Sequence, residues 1–185
     1  MCSEDILNLR SITPREWRDI YLYASEQGVV SFVDDGISRA QINVSRPRYE
    51  DVNRFDLHHP KMCNPLESGS LLTTNRLTRH RMDHHLEDAP ATIKTVCVML
   101  QNIRYHLSRH TLSLRHLCDL YSVLRFDEMD EDKLAVTLQR LHLLPFARRI
   151  CQILRETMYL DEGYMPVPAL DDSLTAKIRN QFMIY

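Results

Sequence analysis

The chain has 185 residues, 23 Lys and Arg against 25 Asp and Glu, and 44% hydrophobic residues. That is the composition of a globular protein able to close its own core, and its net charge of −2 excludes a global positive field toward nucleic acid or anionic membrane. The longest apolar run, Val96 to Leu100, is five residues, where a membrane span takes about 20.

MCSEDILNLR opens with acids where an export signal would be basic, so the expected location is cytoplasmic. Thr13-Pro14 reads as an N-cap and first helical residue, with Trp17, Ile20, Tyr21 and Ala24 at helical spacing and Gly28 as the stop. A second helix is expected over 29–37, then a polar connector over 38–49. Val52 to His58 (VNRFDLH) alternates apolar and polar residues and reads as a strand ended by Pro60. KMCNPLESGS follows as a loop, and Thr74 to Leu86 as a polar helix rich in Arg and His.

Beyond Pro90 the periodicity is strong. Ile93, Val96, Leu100, Ile103 and Leu107 form one apolar seam, and Leu114, Leu117, Cys118, Tyr121 and Leu124 the next. The acidic run DEMDED places negative charge at the start of a third helix through Leu134, Leu138 and Leu141. Leu144-Pro145 opens a fourth, and residues 172–182 a last one after the loop DEGYMPVP. Short connections make an antiparallel bundle the expectation over 91–185, with a separate part over 1–90.

The four glycines (Gly28, Gly36, Gly69, Gly163) are never closer than eight residues, so neither a dinucleotide fingerprint nor a P-loop can be drawn. Five irregularly spaced cysteines (Cys2, Cys63, Cys97, Cys118, Cys151) offer no zinc-ribbon or CxxC pattern and read as free thiols. His80 with His84, and His106 with His110, stand four apart, the spacing at which imidazoles share a metal. Neither pair has a Glu beside its first His, and Arg79, Arg81 and Arg109 would repel a cation, so no metal site is expected. Arg104 and His110 match the Arg-x(4-6)-His pattern of helical ribonucleases of the HEPN class, although Tyr105 stands where that class carries a small polar residue. Arg76, Arg79, Arg81, Lys94, Arg104, Arg109 and Arg115 make the central region basic, a face able to meet a phosphate-bearing ligand. Asp56, between Phe55 and Leu57 in the expected strand, sits where a catalytic magnesium is often held, but one carboxylate cannot hold it alone.

WRDIYLYASEQGVVSFVDDGI, FDLHHPKMCNPL, YHLSRHTLSLRHLCDLYSVL, LQRLHLLPFARRICQILRE and PVPALDDSLTAKI occur in that order. Together they resemble the nucleotidyltransferase-like family of Bacteroides-type bacteria, within the polymerase-β-like superfamily. That resemblance implies an α+β, mostly α fold: a small remnant β-sheet packed on a C-terminal antiparallel helical bundle. Active relatives would use Mg²⁺ and an NTP, with a Gly-Ser turn, a D-x-D/E pair and a third carboxylate, whose position Asp56 matches. About twenty residues, Ser38 to Phe55, stand where the family carries the first two carboxylates, and they contain neither D-x-D nor Gly. Gly69-Ser70 with Asp83 falls on the wrong side of Asp56, and His85 takes the partner position.

The resemblance therefore implies a shortened, degenerate and non-catalytic relative whose helical domain serves as a binding or interaction module. A protein partner or self-association is expected, with no bound cofactor, no membrane and no strong nucleic-acid signature. Two rivals are an active Mg²⁺-dependent transferase recruiting Asp34, Asp35 or Asp51 beside Asp56, with nucleotide as ligand, and a HEPN-type ribonuclease.

Overall fold

A computed structural model describes residues 12–41 and 82–182 of the chain. The chain divides into two compact units, Met1–Lys61 and Met62–Tyr185. In the first, α1 spans Pro14–Glu26 and α2 spans Val30–Arg39. The start of α1 is held by a reciprocal capping box. The Glu16 N–H donates to Thr13 Oγ1 at 3.4 Å, and the Glu16 carboxylate accepts from the Thr13 N–H at 2.7 Å. Trp17, Tyr21 and Ile37 form the buried cluster, flanked by Ile20, Val30 and Val33.

The second unit starts, within the described residues, with helical residues 82–86. It continues through α3 (Ala91–Ser108), α4 (Leu114–Phe126), α5 (Glu131–Arg140) and α6 (Leu144–Met158). A 3₁₀ turn at Glu162–Tyr164 and α7 (Ser173–Phe182) complete it. α6 packs against α3, α4, α5 and α7, and α3 packs against α4 and α5. The reason lies in the apolar seams. Val96, Ile103, Leu117, Leu120, Leu134, Leu138, Ile150 and Leu154 are each no more than 1% exposed, and burying such side chains contributes about 1.5–3 kcal/mol apiece. Met82 and Leu86 are buried in the same core, so the 82–86 turn belongs with the bundle.

With few glycines available, most of the left-handed helix ends among the described residues are formed by other residues. α1 ends with Gly28 at φ 67°, and the Val29 N–H reaches back to the Ala24 carbonyl at 2.8 Å. The same hydrogen-bonded loop ends α3 at His110 (φ 55°, Thr111 N–H to His106 O, 3.0 Å) and α5 at His142 (φ 55°, Leu143 N–H to Leu138 O, 2.8 Å). Tyr159 ends α6, also at φ 55°.

The α+β expectation is corrected: every described element is helical, and among the described residues there is no strand and no sheet. The expected strand, Val52 to His58, lies outside the described residues. A sheet needs a neighbouring strand to satisfy its backbone donors and acceptors. The described parts of 1–90 instead carry apolar residues at helical spacing, as in Trp17, Tyr21 and Ala24. Among the described residues, no helix is long and apolar enough to cross a membrane.

Candidate functional histidine–arginine corner

The five residues 109–113 between α3 and α4 bring the last turn of one helix beside the first turn of the next. His106, one turn before the left-handed residue His110, faces His116, with ring centroids 4.5 Å apart. Each imidazole is held by the connecting loop. His106 Nδ1 lies 2.9 Å from Thr111 Oγ1. Ser113 is the N-cap of α4, and His116 stands at the position that usually carries Glu in a capping box. The Ser113 backbone N–H donates to His116 Nδ1 at 3.3 Å, and Ser113 Oγ lies 2.9 Å from the same nitrogen. The Ser113 carbonyl lies 3.3 Å from that nitrogen as well, so Nδ1 accepts from the N–H in one tautomer and donates to the carbonyl in the other.

Both rings are half-buried, and both favour the uncharged form. Burial lowers the pKa of His106. Burial does the same to His116, and the neighbouring His106 and Arg115 add to it, while the Ser113 hydrogen bond and Asp119 oppose. Arg115 Nε is paired with Asp119 Oδ1 at 2.8 Å. Arg109 lies over the Tyr105 ring, 5.4 Å from its centroid, and both Arg104 and Arg109 are exposed. The corner therefore joins two neutral imidazoles to a fringe of guanidinium groups. Such a set donates hydrogen bonds to an anion and can exchange protons with it.

The structure regroups the residues singled out from sequence. His106 meets His116 and not His110, because α3 stops at Ser108 and the left-handed turn carries His110 into solvent. Arg104 and His110 are both exposed. His84 is exposed and stacks edge-on against His85 at 5.0 Å. His80 lies outside the described residues. His116 was missed for want of a spacing rule across a loop. The signal was Ser113-Leu-Arg-His116, a capping-box pattern with His in place of Glu.

Asp56 and Asp51 lie outside the described residues, as do Gly69 and Ser70. Of the other carboxylates considered for magnesium, Asp34 accepts from the Tyr21 hydroxyl at 2.6 Å, and Asp35 is paired with Arg39 at 2.8 Å. Among the described residues, no three His, Cys, Asp or Glu side chains gather as a metal site. The described carboxylates thus do not supply the convergent oxygens magnesium requires. Burial pushes the thiols of Cys97 and Cys151 up to about 12 and that of Cys118 up to about 11, so none is a ready nucleophile. Cys2 and Cys63 lie outside the described residues. No family model, no curated protein and no solved structure matches this chain.

Proposed function

We propose that this chain is a non-catalytic binding module of nucleotidyltransferase ancestry that takes a phosphate-bearing ligand at the α3–α4 corner. The ancestry rests on the ordered sequence blocks. The binding role rests on one observation: His106 and His116 with ring centroids 4.5 Å apart, tilted at 43°, beside exposed arginines. An imidazole N–H of the pair donates to the anion, and the exposed guanidinium groups of Arg104 and Arg109 supply its countercharge. The expected site of action is the cytoplasm. Isothermal titration with inorganic phosphate, MgATP, MgCTP and MgGTP, alongside a turnover assay, tests the reading. Uptake of phosphate groups without nucleotide turnover is expected. Mg²⁺-dependent turnover lost in Asp56→Ala would replace it with an active transferase.

One feature favours a second reading, metal-independent RNA cleavage: two imidazoles side by side next to arginine. One neutral ring would take the proton from a ribose 2′-hydroxyl as its oxygen attacks phosphorus. The other ring, protonated, would return a proton to the departing 5′-oxygen, with a guanidinium stabilising the charge on phosphorus. Cleavage of single-stranded RNA in EDTA, abolished by His106→Gln and by His116→Gln, is the result that would favour it. Gln at 116 preserves the capping box, so a folding defect would not imitate lost chemistry.

A further inference from the structure

We infer that the Met62–Tyr185 unit associates head to tail, the acidic, aromatic end of the α3–α4 pair in one copy docking on the basic corner of the next. The inference goes beyond the phosphate-binding reading and does not depend on it. The observation behind it is a separation of charge along the α3–α4 pair. Toward the connection stand Arg104 in α3 and Arg109 and His110 in the loop, all exposed. At the far end of α4 Phe126, the last helical residue, is 75% exposed, and exposed Asp127 and Glu128 follow it. The 3₁₀ turn adds Tyr164, whose ring centroid lies 3.6 Å from the Arg125 guanidinium carbon, and Glu162, whose side chain is 85% exposed and 3.6 Å from Arg155 Nη1.

Two physical points select a second copy as the occupant. First, α4 has 13 residues, so its ends lie about 20 Å apart at 1.5 Å per residue. The complementary surfaces therefore cannot satisfy each other within one unit. Second, arginine stacked on an aromatic ring is already the chemistry at both ends, Arg109 on Tyr105 and Arg125 on Tyr164. A neighbour's Arg104 or Arg109 laid over Phe126, and paired with Asp127 or Glu128, repeats that contact and covers a ring that stays largely exposed with Arg125 6.0 Å from its centroid. Because the two surfaces differ, the contact is heterologous and builds rings or short chains of subunits.

Sedimentation velocity on the full chain over a concentration series tests this directly. Wild type should gain mass with concentration at about 0.1 M salt and lose that gain at about 1 M, where the screening length falls from about 10 Å to about 3 Å. Arg104→Glu with Arg109→Glu should run as a monomer. So should Phe126→Ser with Asp127→Lys and Glu128→Lys. Mixing the two variants should restore a one-to-one complex and nothing larger, because one intact head then meets one intact tail. All altered side chains are exposed, and an unchanged circular dichroism spectrum shows that folding is retained. A wild type that stays monomeric, a single-end variant that still self-associates, or a mixture that stays monomeric would each overturn the inference.

Discussion

Two helix starts in the second unit use the same device with opposite chemistry. At α7, Asp172 accepts from the Leu174 N–H at 3.0 Å and the Thr175 N–H at 2.9 Å. Arg149, from α6, grips the same carboxylate through Nε at 3.0 Å and Nη2 at 2.7 Å. The Arg149 hydrogen bonds, then the Thr175 N–H, hold the Asp172 carboxyl well below the usual carboxylate range. At α4 the accepting group is a half-buried imidazole, which resists its charge instead of keeping it. One clasp is indifferent to pH between about 5 and 8, and the other weakens as pH falls below about 6.5. The difference lies in whether the cap's partner is a fixed cation or a second titratable ring.

The largest effect on this pair of clasps should come from the core beneath them. Leu117, next to His116, is fully buried, so Leu117→Ala should lower unfolding stability by about 3 kcal/mol in urea titrations. Asp172→Ala comes next. It removes the first-turn acceptor of α7 and leaves Arg149 without its carboxylate, so the melting midpoint should fall, by less than in Leu117→Ala, at every pH from 5 to 8. A pH-dependent loss there would break the comparison.

The imidazole clasp should show the converse. The folded pKa values of His106 and His116 are lowered, so the unfolded chain binds more protons between the folded values and about 6.5. Their contribution is therefore complete above pH 6.5 and is lost as pH falls through the folded values. His106→Gln with His116→Gln should flatten this part of the stability profile, measured by thermal unfolding between pH 5 and 8. The smallest effect belongs to Asp35→Asn in the first unit. Its pair with Arg39 is 58% and 79% exposed, so the midpoint should move by less than a degree or so.

The helical half was legible because its seams are long and periodic. Ile93 to Ile103 and Leu114 to Leu124 announce buried faces that no local alternative competes with. Thr13 with Glu16 was legible for the same local reason, a cap and its partner three residues on. The sheet was not legible in this way. Its expectation came from a seven-residue alternation and a family resemblance, neither of which specifies a pairing strand. The corner lay between these cases. Both histidines are local to their helices, but their meeting depends on where α3 stops, which is set by His110 taking a backbone conformation that sequence spacing does not encode. Charge segregation along the α3–α4 pair was visible only in part. The acidic run was plain, while the exposure of Phe126 beside it depends on how the bundle closes.

The left-handed residues at helix ends also bear on how this protein can change. His110, His142 and Tyr159 each occupy a backbone region that favours glycine, which costs a residue with a Cβ about 1 kcal/mol. Glycine at any of the three would relieve that penalty, partly offset by a more disordered unfolded chain, for a net gain of about 0.5 kcal/mol. The chain thus keeps a thermostability reserve outside its core. Lineages or engineers could draw on it one turn at a time, with His142 and Tyr159 open to exchange and His110 constrained by the corner it shapes.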